Sequence, residues 1–187
     1  DLTGPGAADT PFSQTRNVGL EFDVRPDRSG AEADAAIRLA GLRVAGFLAD
    51  LTRDQATTAR ETFELGPVDP ALPRVAYIYQ IQSDGVLRHT FLYGRDLYRM
   101  VPTLIHPNEL MDGAVVNSAF SPQRIPTYIH CNNRVVAELY RRHGRDVNFL
   151  GIVLTDSSWI SDAEKSRNAF YTARLAHGLG AQGAVLT

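Results

Sequence analysis

The sequence predicts an α/β fold, with a parallel or mixed sheet, βαβ crossovers and a Rossmann-like three-layer arrangement. Three observations predict it. Residues 74–82 and 148–154 are short apolar runs rich in aromatic and β-branched side chains, as strands covered on both faces are. Two stretches of helical periodicity begin at polar caps and end at glycine. From residue 127 the order is helix, strand, helix, strand with short connections, the pattern of parallel crossover units. Such crossovers are right-handed.

Taken in order, residues 18–24 (Val-Gly-Leu-Glu-Phe-Asp-Val) alternate apolar and polar, which predicts a half-buried strand. Ser29 and Glu32 then form a capping box. Behind it Ala36, Ala40, Val44, Phe47, Leu48 and Leu51 fall on one face of a helix over 30–51, with Asp34 and Arg38 one turn apart on its polar side. Residues 52–73 are polar and carry Pro67, Pro70 and Pro73. They read as a connection, with a short strand at 62–65. The strand over 74–82 is broken by Ser83-Asp84-Gly85, and a short apolar run covers 101–105. Residues 106–126, with Pro107, Pro122 and Pro126, carry no periodic signal.

Asn132 or Asn133 then caps a helix with Val135, Val136, Leu139 and Tyr140 on its apolar face. Arg141, Arg142 and His143 sit at its negative end, before Gly144. After the strand over 148–154, Ser161 and Glu164 predict a second capping box, and the helix they open runs to His177 before Gly178 and Gly180. Residues 183–187 form the last strand.

Composition narrows the function. The chain has 187 residues, a net charge of −2 and 44% apolar residues, enough to fill the core of one domain. The charge offers no pull toward nucleic acid or an anionic membrane. No run of 18 apolar residues is present, and one cysteine excludes an internal disulfide framework. A cytoplasmic setting is expected. The start at Asp1 and the apolar end at Thr187 read as those of a fragment or a processed chain.

A parallel sheet places its ligand beyond the carboxyl ends of the strands. That singles out Gln82, Ser83 and Asp84, and Thr155, Asp156 and Ser157, as substrate-binding candidates. Asp156-Ser157-Ser158-Trp159 reads equally as a plain loop, with Trp159 stapled to the following helix. His106 and Glu109, three residues apart, with His130 and Cys131, would supply N, O and S donors of a kind that suits zinc, although their spacing matches no tight ligand pattern. The other reading of His106-Pro107-Asn108-Glu109 is a helix entry, with proline at the first position. Cys131, just before a helix, would have its thiol pKa lowered by the helix dipole; the other reading is a small buried apolar side chain. Asn117-Ser118 is a bond that can rearrange. The hydroxyl attacks the preceding carbonyl to give an ester, and elimination and hydrolysis leave a pyruvoyl group, a carbonyl electron sink. The dipeptide carries no weight without context. There is no Walker loop, no G-x-G-x-x-G after a strand, no C-x-x-C and no G-x-S-x-G.

Several ordered runs supply that context. They are Asp1-Leu2-Thr3-Gly4-Pro5 with Pro11-Phe12-Ser13, Leu72-Pro73-Arg74-Val75-Ala76-Tyr77, Pro102-Thr103-Leu104-Ile105-His106-Pro107-Asn108-Glu109, and Met111-Asp112-Gly113-Ala114. A last series runs from Asn132-Asn133 through Glu138-Leu139-Tyr140, Arg142-His143-Gly144, Asp146 and Asn148-Phe149 to Gly151. Together they resemble component B of the glycine, sarcosine and betaine reductases and the related D-proline reductase proprotein, over nearly the whole of this chain and the central part of the proprotein. The chain is then either one α/β domain, 1–187, or a fragment of a larger reductase-family chain. The resemblance implies self-cleavage before a Cys just downstream of the Asp-Gly-Ala run, which turns that residue into a pyruvoyl group. A small amine or amino-acid substrate condenses with it as a Schiff base, and a Cys or selenocysteine of a second reductase subunit helps break the C–N bond reductively. The equivalent position here is Ser118 after Asn117, a Ser in place of Cys in a shorter segment. His106, Glu109, His130 and Cys131 would surround it as acid, base and thiol groups. The alternatives are an uncleaved paralogue using Cys131 or a His/Glu/Cys metal site, and a non-catalytic subunit packed against an enzyme partner.

Overall fold

The computed structural model describes residues 3–85, 87–119 and 125–187. Strand β1 (Arg74–Ile81) pairs in parallel with β6 (Asn148–Asp156) on one side and β7 (Gly183–Leu186) on the other. Strand β4 (Thr103–Ile105) adds antiparallel to β6, so the sheet is mixed, in the order β4-β6-β1-β7. A second, antiparallel sheet of order β3-β2-β5 is built from β2 (Thr90–Leu92), β3 (Arg95–Asp96) and β5 (Val115–Asn117).

The strand period of two distributes side chains to both faces of the main sheet. Tyr77, Tyr79 and Ile81 of β1, with Phe149, Ile152 and Leu154 of β6, pack against Val136, Leu139 and Tyr140 of α4 (Arg134–Arg142). Ala76 and Val153 face the other way, toward Ala176 of α5 (Asp162–Gly178). Helix, sheet and helix thus form three layers. At Gly151 the register against β1 skips Leu150, a bulge that needs the backbone at φ +142°, a conformation glycine accepts.

The helix caps follow the sequence closely. Ser29 and Glu32 make the reciprocal capping box at the start of α1 (Gly30–Thr52). Asn133 accepts from the amides of Val135 and Val136 to open α4. Ser161 caps α5, but no reciprocal box forms there, because the Glu164 carboxylate is taken by Arg99 and the Ile160 amide.

Several expectations fail. Residues 18–24 form no strand: Val18, Leu20, Phe22 and Val24 are all exposed, since alternation alone supplies no neighbouring strand to pair with. Residues 62–65 are likewise irregular, although Phe63 and Leu65 pack on the core. The apolar face of α1 is open, with Leu39, Leu42, Phe47, Leu48 and Leu51 exposed. Asp34, expected on the polar side, is instead one of the two buried residues of that helix. The stretch 106–126, silent in the sequence, holds α2 (Pro107–Met111) and β5, while Pro122 lies outside the described residues, as do Asp1 and Leu2 of the first matching run. Helix α3 (Thr127–Cys131) then precedes α4.

Candidate functional site around Ser118

Ser118 follows the last residue of β5, and its surroundings are fixed from three directions. Its amide donates to the His89 carbonyl at 2.8 Å, extending the β2–β5 pairing, and to Asn117 Oδ1 at 2.7 Å. Asn117 is itself clamped: its amide donates to Thr127 Oγ1, and its side chain to the Ile125 carbonyl at 2.7 Å. The Ser118 hydroxyl donates to Asp34 Oδ1 at 2.7 Å, with both residues nearly closed to solvent, at 6% and 4% exposure.

Helix α1 delivers Asp34. The capping box fixes its first turn, and Gly30 at the start of that turn lies beside the Leu87 side chain. Ala33 and Asp34 are buried there. One turn on, the Arg38 guanidinium lies 4.0 Å over the Phe91 ring of β2, a cation–π contact that holds the helix across the small sheet. A cavity of about 180 Å³ remains between them, lined by Asp34, Arg38, His89, Phe91 and Asp96 among others. His89 Nδ1 lies against the Asp96 carboxylate.

The strand tips join this region. Ser83, fully buried, donates to Asp96 and accepts from the Thr90 amide, and the Thr90 hydroxyl donates to the Gln82 carbonyl. Thr90 pairs with Asn117. Asp84 accepts from the Ser158 hydroxyl. Asp156 is buried and accepts from the amides of Arg99 and Ser158; burial raises its pKa above the usual carboxylate range. Ser157 donates to the Ile81 carbonyl. Thr155 lies on the opposite face, lining a largely apolar cavity of about 330 Å³ with Trp159 and Lys165. Of the six strand-tip candidates, Gln82 and Ser83 are linked to the Ser118 neighbourhood, Asp84 and Asp156 adjoin them through the Ser158 turn, Ser157 bonds back to the end of β1, and Thr155 turns away.

The contacts described for the remaining candidates are with other groups. His106 is the N-cap of α2, and Glu109 accepts from the His106 amide and the Tyr93 hydroxyl, which hold its pKa down. This is the helix-entry reading of the motif. His130 is 1% exposed and shares a 2.8 Å hydrogen bond with the Tyr79 hydroxyl; burial lowers its pKa to about 4, against a weaker opposing pull from the Ile125 backbone. Burial also pushes the Tyr79 phenol up. Cys131 ends α3 instead of opening a helix, and its half-buried thiol is raised by desolvation and by Asp112, the reverse of the expected lowering. Among the described residues no group of three or more His, Cys, Asp or Glu side chains could hold a metal ion. No helix among them is long and apolar enough to cross a membrane.

The family model described as glycine/sarcosine/betaine reductase component B subunits matches residues 1–187. The chain belongs to this reductase component B family. It is 37% identical, over its whole length, to the glycine reductase complex component B subunits alpha and beta of Acetoanaerobium sticklandii. It is 33% identical to the sarcosine reductase complex component B subunit alpha, and 35% identical to the betaine reductase complex component B subunit alpha, both of Peptoclostridium acidaminophilum and again over the whole chain. The chain spans 45% of the length of each of these component B relatives. No solved structure gives a significant match.

Asp34, Arg38, His89 and Asp96 are the component B residues that sequence reasoning left out of the site. Asp34 and Arg38 were visible as an i,i+4 pair beside a capping box, but the same spacing describes a solvated ion pair. His89 and Asp96 lie on a hairpin whose strands have three and two residues, too short for a periodic signal.

Proposed function

We propose that this chain is part of a reductase component B that acts on a small amine or amino acid, with Ser118 as the precursor of a pyruvoyl group. The observation that carries the reading is the Asn117-Ser118 bond itself. It lies just downstream of Asp112-Gly113-Ala114, its amide and both side chains are held by named partners, and the Ser118 hydroxyl is buried against a carboxylate. A side chain that attacks its own preceding carbonyl needs a fixed rotamer and a nearby proton acceptor, and this segment provides both.

A pyruvoyl carbonyl supplies an electrophile and electron sink for an amine substrate, supporting reductive C–N cleavage. Beside Asp34 the chain's own residues line a small, mostly apolar cavity: Arg38 offers a fixed positive charge for a carboxylate, and the Phe91 ring forms one wall. The reducing thiol or selenol would come from a second subunit of the complex, in keeping with the names of the relatives, and the setting would be the cytoplasm. The uncleaved reading through Cys131 gains no support, because burial and Asp112 disfavour the thiolate.

Intact-mass analysis of the purified full-length protein tests this. Two fragments divided between residues 117 and 118, the later one carrying a ketone that reacts with hydrazine, are expected. A single unbroken chain would remove the pyruvoyl reading.

A further inference from the structure

We propose that Asp34 is the base that takes the Ser118 Oγ proton during self-cleavage, and is therefore a catalytic residue of the maturation step. The inference rests on the reading of Ser118 as the pyruvoyl precursor and deepens it.

Asp34 has an unusual place on its helix. Most of α1 is exposed, and its buried residues are Ala33 and Asp34 alone. A helix held by hydrophobic packing would bury its leucines, yet the leucines of α1 face outward. What enters the protein is a carboxylate, and its Oδ1 meets the one side chain whose hydroxyl must lose a proton. Burying a carboxylate is costly unless it is hydrogen-bonded, and the capping box and the Arg38–Phe91 contact both fix the turn that presents it.

The step balances without an outside oxidant or reductant. The Oγ proton passes to Asp34 as Oγ bonds to the Asn117 carbonyl carbon. The C–N bond to Ser118 then breaks, and the proton passes from the Asp34 carboxyl to the departing nitrogen, leaving an ester and a free amine. Transfer of the residue-118 Cα proton to a water base and cleavage of the Cβ–Oγ bond release residue 117 as a carboxylate and leave an enamine, which takes a proton back at Cβ to become an imine. One water hydrolyses the resulting imine, and ammonia leaves. The 180 Å³ cavity lined in part by Asp34 has room for that water, since water takes about 30 Å³ in the liquid.

The test follows cleavage of the 117–118 bond by intact mass against time after synthesis of the full-length protein. Four forms are compared: wild type, Asp34→Asn, Ser118→Cys and the double variant. General-base assistance is worth about 10²–10⁴-fold, so Asp34→Asn is expected to slow cleavage at least about 100-fold. A thiol ionises near neutral pH and depends less on a base, so the same change in the Ser118→Cys background is expected to slow cleavage less than about tenfold. An equal loss in both backgrounds would mean that Asp34 only shapes the site, and would overturn the base role. Wild-type cleavage by Asp34→Asn would overturn it too, while leaving Ser118 as the precursor. A wild-type chain that never cleaves would bring down both readings.

Discussion

His130 is closed to solvent, its ring engaged with Tyr79, and its pKa is lowered to about 4 because burial penalises the imidazolium. In the unfolded chain the same group titrates near 6.5. Between those values the unfolded state binds the extra proton, so stability falls as pH drops from about 6.5 to about 4, by on the order of 3 kcal/mol for this residue. Above about 6.5 the group is neutral in both states and contributes no slope. Denaturant unfolding at pH 7 and pH 4.5 checks this. A His130→Gln variant is expected to be less stable at pH 7 but to lose less between the two pH values; an unchanged slope would contradict the assignment. At the same scale, Asp34 and His130 show why buried polar residues were hard to place. Each has an ordinary sequence context, and only its neighbours from distant segments, 84 and 51 residues away, set its chemistry.

At the scale of elements, the β6 bulge sets the sheet's geometry where it meets β4. Gly151 sits at φ +142°, and a Cβ there would lie 3.7 Å from the Ile105 carbonyl oxygen. The space is ordinary but the backbone angle is not. Gly151→Ala is expected to cost about 1–3 kcal/mol, read as a lowered denaturant midpoint with an unchanged slope. The elements also divide by how well the sequence marks them. Helices α1, α4 and α5 and strands β1, β6 and β7 were readable, because caps, glycines and apolar runs are local signals. The hairpin β2–β3 and strand β5 were not: at two or three residues each, their existence depends on pairing with one another. The failed strand at 18–24 is the converse case, a clear pattern with no strand partner among the described residues.

Across the whole molecule, order is concentrated in the main sheet. β1 is flanked on both sides along the strand and covered on both faces, whereas α1 beyond its first two turns touches little. Native-state hydrogen exchange is expected to show the slowest amides in β1 and β6, and much faster exchange in α1 after Arg38, since local opening tracks the burial of each unit. Uniform protection along α1 would show that its apolar face is covered in solution.

The sequence by itself determined the family, the three-layer α/β class and the main caps, because these rest on local patterns and ordered motifs. The tertiary structure alone decided that Asp34 meets Ser118, that His106 and Glu109 cap the start of α2, and that burial and Asp112 push the Cys131 thiol pKa up. Those outcomes depend on burial and on contacts between distant segments, and desolvation and proximity are properties of the folded chain that no local spacing encodes.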